Sequence, residues 1–529
     1  MTGPRAEESI PDQDSYLDAR DVTDGWRSRS RWFWTPANSQ GDQIPTTWRQ
    51  RAMNEVRELP RWWAWIPISV LVIFYVVWFS TESLRMYATY EYPPFDLAIY
   101  DQGLWLLSHF HAPFDTIMGR NLFGDHSVFI LYLVAPLYRL VPEPQGILIL
   151  QAVVLGATAL PIFAIARKMT GSVVIATTIG TTYLLNPAVQ QANLEQFHPE
   201  SLQVLIFALA IYAAIESRMW LLGVTVALTL LTKEDAAIVV IPLGTWFAVR
   251  RQRLAGLVIV GAAMGYALVV NELVIPALLG GPSLYTGRIP FGGVSGFLAT
   301  LVRRPTQVWD FVRSQGRPFY LWQMGISVGW GFLLAPEFAL LALLVLLENI
   351  LSVDPYMHQI IYHYSMRAVP ALAIAVAWAI SRQRRRSVRY VVTATTFVCA
   401  LWSCILWGLA PFSLHPEPID TAAASQITPA LGYLEQVIPA NASVSALDYW
   451  DSHLDHRTHI YVWPAPFIPS NWGLPSNATA TLPPAQSVTY LVLPTHLSPA
   501  QNADVFARIR ADYRVLRQAD DITLYERIK

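Results

Sequence analysis

Long apolar runs recur along this 529-residue chain, and they decide which solvent it folds in. A helix that crosses the hydrocarbon of a bilayer needs about 20 apolar residues, because nothing in lipid can satisfy an open backbone. Residues 62–80 (WWAWIPISVLVIFYVVWFS) supply one such run. Others follow at 147–166, 173–190, 200–216, 219–232, 236–249, 254–278, 319–334, 336–352, 367–381 and 390–411. Only 14% of residues are charged and 53% are hydrophobic, against roughly 25% charged in soluble proteins. The near-neutral net charge of −1 excludes an electrostatic nucleic-acid binder. Cys399 and Cys404 fall inside an apolar run, so neither a disulfide framework nor a thiolate metal site is expected.

The expected fold class is therefore an all-α polytopic membrane bundle of about eleven spans, followed by a small α/β soluble domain. Residues 127–142 are short and hold Pro136 and Arg139, so they are expected to lie at the interface rather than cross. With that exception, alternating the spans from an inner N-terminus puts the basic connectors at Arg167-Lys168, Arg218, Arg250–Arg253 and Arg382–Arg389 on the cytoplasmic side. Three parts follow. Residues 1–60, rich in Asp, Glu, Arg, Ser and Pro, read as a disordered cytoplasmic tail. Residues 61–411 form the transmembrane domain, with a long first outer loop at 81–146. Residues 412–529 form an extracytoplasmic module whose strand-like runs are SVSALDY, HIYVWP, VTYLVLP and ITLYER, with helical stretches near 427–437 and 498–511. The expected address is the bacterial plasma membrane.

Membrane burial does not explain the polar residues of the outer connectors. In EYPPFDLAIYDQGLW, Asp96 stands at a helix start, where it can cap the helix or serve as a general base. Asp101 lies about 140° away around the same helix, so the two carboxylates do not share a face. The loop continues with Asp125-His126 in a glycine-bounded turn. The next outer piece, NLEQFHPES, carries Glu195, His198 and Glu200, and helix-start chemistry accounts for Pro199 and Glu200 but not for His198. Lys233-Glu234-Asp235 joins two runs of about fourteen residues, each rising about 21 Å and so too short for the hydrocarbon core; the triplet is expected to be sunk in a protein-lined cavity. The connector 279–318 holds Arg288, Arg303, Arg304, Arg313 and Arg317, a local break of the positive-inside rule that suits an anionic partner. His363 and Arg367 stand at the mouth of the next span.

The ordered motifs FDLAIYDQGLW, NLFGDHSVF, QFHPES, LLTKED and YHYSM, closing with a soluble SVSA…HLDHR…IYVWP module, resemble a bacterial and archaeal family of polytopic membrane proteins catalogued as a domain of unknown function. More distantly the chain resembles the C-type integral-membrane glycosyltransferases, which use polyprenyl-phosphate sugars. That resemblance implies a catalytic acid at Asp96 or Asp101 in the first outer loop, a juxtamembrane helix at 127–142 and a second-loop site at Glu195–Glu200. It differs in lacking an adjacent pair of acids in the first loop.

The leading expectation is a glycosyltransferase that moves a sugar from a polyprenyl-phosphate donor to an envelope glycan or glycolipid on the outer face. Asp96 or Asp101 would be the base. Asp125, His126, Glu195, His198, Glu200, Lys233, Glu234, Asp235, Arg303, Arg304, His363 and Arg367 would bind substrate. A Mg²⁺ or Mn²⁺ ion on Asp101, Asp125, His198 and Glu200 fits the carboxylate-rich set. Two alternatives stand beside it. One is a transporter or flippase of lipid-linked sugars, suggested by Asn271-Glu272 and Glu348-Asn349. The other is a non-catalytic envelope protein that binds glycan through Asp448, Asp451, His453, Asp455, His456 and Arg457.

Overall fold

The structure, a computed structural model, describes residues 61–92, 95–141, 143–285, 287–416, 428–468 and 485–528. The tail expected at 1–60 lies outside the described residues.

Among the described residues, five helices are long and apolar enough to cross a bilayer: Trp62–Ala88, Pro144–Thr170, Arg253–Leu279, His363–Arg382 and Arg386–Trp407. They divide into two physical kinds. The helix Val369–Arg382 is rich in alanine and buries Val369 through Ala377, so it is packed round by protein on every side. By contrast Arg253–Val269 buries only Gly256 and Ala263, and its Leu257, Val258, Met264 and Leu268 face outward. An apolar outer face of this kind is what lipid requires and water penalises. The protein is a multi-pass membrane protein.

Several apolar runs are interrupted where the sequence dictates. The run 173–190 breaks into Val173–Leu184 and Pro187–Glu195, because Pro187 forces Asn186 out of the helical region. The Asn186 side chain then accepts the Ala188 N–H at 3.0 Å and caps the second piece. In 254–278 the helix widens into a π turn at Val270–Val274 just before Pro276, which has no N–H to offer. The runs 319–334 and 336–352, expected as continuous spans, are not continuous. The first becomes the helix Arg317–Ile326 and a turn at Gly329 and Trp330, both with positive φ. The second becomes a 3-10 turn followed by Leu343–Leu351. Among its described residues, the stretch 127–142 contains only the eight-residue helix Leu131–Tyr138, which at about 12 Å is too short to cross.

The basic connectors meet one another at one end of the bundle. Lys168 pairs with Glu216, Arg251 donates to the Ile215 carbonyl at 2.9 Å, and Arg389 donates to the Thr170 carbonyl. The polar motifs meet at the other end.

The C-terminal module is a five-stranded mixed sheet of β3 (Val444–Ala446), β4 (Ile460–Val462), β5 (Tyr490–Pro494), β6 (Tyr513–Ala519) and β7 (Ile522–Arg527), preceded in the chain by the small hairpin β1 (Phe114–Asp115) and β2 (Arg120–Asn121) of the first loop. Its order is β4-β3-β5-β7-β6, with β3 parallel to β4 and β5, and β7 antiparallel to β5 and β6. Tyr461, Trp463, Leu491, Leu493, Tyr513 and Tyr525 form its core. The module is docked on the first loop. Thr116 Oγ donates to the Ile460 carbonyl at 2.6 Å, Gln102 Nε2 donates to the Arg457 carbonyl at 3.0 Å, and the His453 ring lies between Tyr87 and Tyr90 at 4.1 and 3.8 Å.

Candidate functional site

The site is assembled by a single glutamine in an apolar helix. Gln151, on Pro144–Ala157, is fully buried; its amide donates to the carbonyls of Ala192, Asn193 and Gln196, and its oxygen accepts the His198 N–H at 2.9 Å. This staples the second polar loop to the bundle. Gln196 then accepts the Leu97 N–H at 2.7 Å and ties down the start of the helix Asp96–Ser108. Phe95, which precedes that helix, is held at φ 107°, in the region that disfavours side-chain-bearing residues. Such strain persists only where the surroundings enforce it.

Asp96 stands at this strained corner. Its carboxylate makes no hydrogen bond or ion pair among the described residues. Burial lifts its pKa to about 6; His126 and Lys233 oppose the rise, while Glu200 and Asp125 add to it. A carboxylate that is free, basic and surrounded by both signs of charge is poised to accept a proton.

Three buried pairs surround it. Lys233 is paired with Glu200, both at 2% exposure. Glu234 accepts from His126 Nδ1 at 2.8 Å and from the Ser127 N–H at 3.1 Å. Burial acts to raise the Glu234 carboxyl, but His126 and Lys233 together bring the group down to about 2. Burial pulls His126 down, and Glu234 and Asp125 together leave it raised. Asp235 pairs with Arg367 at 2.8 Å, and Arg367 reaches Glu348 at 3.2 Å. So each member of the triplet serves a different partner, as buried charges must. The His126 ring also stacks on Tyr285 at 4.5 Å, and the Tyr285 hydroxyl lies 3.3 Å from both Asp125 oxygens. Arg288 lies over Tyr285 at 4.2 Å and pairs with Asp354 at 3.3 Å.

The second loop meets the mouth of the helix that follows His363. Glu195 accepts the His363 N–H at 2.6 Å and lies 3.2 Å from its Nδ1, while the rings of His198 and His363 stack at 3.6 Å. His198 Nε2 is buried with no hydrogen-bond partner, and burial pushes that imidazole down to about 4. Glu195, His198 and His363 each offer a ligand atom within 4.8 Å of the others.

Residues 87–504 match a family described as "Predicted membrane protein (DUF2079)". The chain belongs to this family. No curated protein matches the sequence. Among solved structures, the chain is similar to ArnT from Cupriavidus metallidurans bound to undecaprenyl phosphate. The TM-score is 0.51 and the identity 12%, over 87% of this chain and 98% of that one. The apo state of the same ArnT gives 0.51 and 13% over the same shares. At these identities the likeness establishes the fold. This DUF2079 protein has the C-type glycosyltransferase fold expected from its motifs, with a small sheet domain at its C-terminus.

The structure brings Asp96, Asp125, His126, Glu195, His198, Glu200, Lys233, Glu234, Asp235, His363 and Arg367 of this DUF2079 chain into one connected set of contacts and electrostatic neighbours. Two expectations require correction. Arg303 and Arg304 are exposed, at the junction of the outward helices Gly293–Arg303 and Pro305–Arg313; Arg288 is the arginine of that connector that reaches the site. The cation set Asp101, Asp125, His198 and Glu200 does not assemble among the described residues. Asp101 faces away toward the C-terminal module, Asp125 is held by Arg120 at 3.1 Å and by Tyr285, and Glu200 is taken by Lys233. Of the features that suggested a transporter, Glu272 points outward and Glu348 belongs to the Arg367 pair. The polar run suggested as a glycan site faces the first loop through His453 and His456. Gln151, Gln196 and Tyr285 were missed by sequence reasoning. Gln151 left a signal, as the one amide within the apolar stretch 147–166.

Proposed function

We propose that this protein transfers a sugar from a polyprenyl-phosphate donor to an envelope glycan or glycolipid acceptor, with Asp96 as the general base. The observation that carries the reading is the free, basic carboxylate of Asp96 set beside Lys233 and His126 at one end of a bundle with a lipid-facing exterior. Asp96 takes the proton of the acceptor hydroxyl while the hydroxyl oxygen forms a bond to the anomeric carbon. The bond from that carbon to the phosphate oxygen breaks, and the polyprenyl phosphate leaves with the electron pair. Arg288 and Lys233 hold the donor phosphate. Arg288 lies over Tyr285 with its Nε directed to Asp354, and a planar guanidinium suits the bidentate recognition of a phosphate. The His126 ring, fixed by Glu234, helps define the acceptor pocket.

Glu195, His198 and His363 would hold a divalent cation. The orphaned His198 Nε2 and the donor set of two imidazoles and one carboxylate fit Zn²⁺ or Mn²⁺ better than Mg²⁺, which prefers oxygen. Such an ion supplies positive charge that neutralises a leaving phosphate. The likeness to an ArnT that binds undecaprenyl phosphate supports the choice of a lipid-phosphate donor.

The reading is tested with purified full-length protein in detergent, a radiolabelled polyprenyl-phosphate sugar and an envelope lipid extract. Donor should be consumed by the wild type and not by Asp96→Asn. Movement of intact donor across vesicles without consumption would favour transport instead.

A further inference from the structure

On the other side of the helix Asp96–Ser108 lies a second cluster that glycosyl transfer does not use. Asp101 is fully buried, and Asp455 of the C-terminal module is 1% exposed. His456, next in the chain, is the group through which the cluster opens to the exterior, with its side chain a third exposed. Ligand atoms of the three lie within 4.8 Å of one another. His456 Nε2 is 2.8 Å from Asp101 Oδ2 and 3.9 Å from Asp455 Oδ1. The Tyr138 hydroxyl sits 2.6 Å from Asp101 Oδ1 and 2.7 Å from the same Nε2.

The charges in this cluster do not balance. Two buried carboxylates face each other, and among the described ion pairs the partner of both is His456. Arg457 is adjacent, but its hydrogen bonds go to the carbonyls of Leu454, Pro439 and Ala442. Asp455 Oδ2 is buried with no hydrogen-bond partner. Burying a carboxylate in this way is costly unless a cation or donor completes it.

We propose that Asp101, Asp455 and His456 form a divalent transition-metal site, of the zinc class, that clamps the C-terminal module to the first loop of the membrane domain. A doubly positive ion balances two carboxylates. Ligands held about 2.1 Å from a tetrahedral ion stand roughly 3.4 Å apart, and the separations of 2.8 and 3.9 Å from His456 Nε2 bracket that value. The imidazole selects zinc-like ions over Mg²⁺ or Ca²⁺. Tyr138 orients Asp101 from the short helix Leu131–Tyr138, so three separate segments converge on one ion. The exposed edge of His456 gives the entry path. This site is independent of the sugar-transfer reading, since its residues face the module and not Asp96.

The test is metal content and thermal unfolding of the full-length protein in detergent, stripped with EDTA and then titrated with Zn²⁺. Bound zinc, measured by mass spectrometry, should fall by one equivalent in His456→Ala and in Asp455→Asn, whatever the Glu195–His198–His363 group holds. Zinc should raise the unfolding midpoint of the wild type by several degrees more than that of either variant. Zinc content equal to wild type in both variants overturns the proposal. So does a rise in the midpoint of metal-free Asp455→Asn with no change in zinc, which would mean that the two acids merely share a proton. Because His456 is partly exposed, its variant is expected to fold; loss of transferase activity plays no part in the readout.

Discussion

Glu195 and His363 are 168 positions apart, yet the Glu195 carboxylate accepts the His363 backbone N–H at 2.6 Å and reaches its Nδ1 at 3.2 Å. One side chain thus locks the second polar loop to the mouth of the most buried of the five long apolar helices. Glu195→Ala should leave a backbone donor unsatisfied, at a cost of about 1–3 kcal/mol. Glu195→Gln, whose oxygen can still accept, should lose less. Thermal unfolding in detergent measures both, and equal midpoints for the two variants would contradict the contact.

Lys233 and Glu200 form a buried ion pair. Removing one partner strands the other charge, so Lys233→Met should destabilise by about 3–5 kcal/mol. The double variant Lys233→Met with Glu200→Gln should recover most of that loss. Chemical unfolding of the two single variants and the double variant gives the coupling directly, and additive losses would mean that the charges do not interact.

Asp96 titrates near pH 6, raised by burial. A base works only when deprotonated, so turnover should rise with pH through about 6 rather than near the usual carboxylate value of about 4. The same shift has an opposite consequence for stability. A raised acid favours the folded state when protonated, so that contribution is complete below the unfolded value near 4 and is lost as pH rises through 6. A pH–rate profile with no limb near 6 would exclude Asp96 as the base.

Glu234 behaves in the reverse sense. His126 holds it at about 2, so its stabilising contribution is present above about 4.5 and is lost as pH falls toward 2. The His126 partner, raised by Glu234, adds stability below about 6.5 that is lost as pH climbs through its folded value. Glu234→Gln should lower the His126 titration midpoint. Side-chain NMR of labelled histidine reads this shift, and an unmoved midpoint would show that the pairing is not made in solution.

The helices Ala237–Arg250 and Arg253–Val269 pack through glycine. A Cβ at Gly256 would stand 2.3 Å from the Ala248 nitrogen, whereas one at Gly261 meets nothing within 4 Å. Gly256→Ala should therefore destabilise by about 1–3 kcal/mol. Gly261→Ala should stabilise by about 0.5–1 kcal/mol through helix propensity. Thermal midpoints of opposite sign check the pair, and two changes of the same sign would overturn the helix contact.

Much of this protein follows from its sequence alone. Lipid permits few backbone structures, so runs of apolar residues declare the bundle, and Pro187 and Pro276 mark where its helices are interrupted or widened. The 100° step between helical residues already separated Asp96 from Asp101. Four of the five strands of the C-terminal sheet were also legible. The fifth, β6, is an edge strand with Arg514 and Arg517 outward, and it lacks the apolar alternation that reveals a strand.

Partnership was decided only by the tertiary structure. Nothing local distinguishes Arg288, which is folded over Tyr285, from Arg303 and Arg304, which are left exposed. Nor can the sequence give Lys233 to Glu200, Glu234 to His126 and Asp235 to Arg367, or turn Asp101 toward a histidine 355 positions away. Apolar burial is set by composition and period, which are local properties of the chain. A charge buried in a membrane protein is stabilised only by the group it meets, and that meeting depends on how distant helices pack.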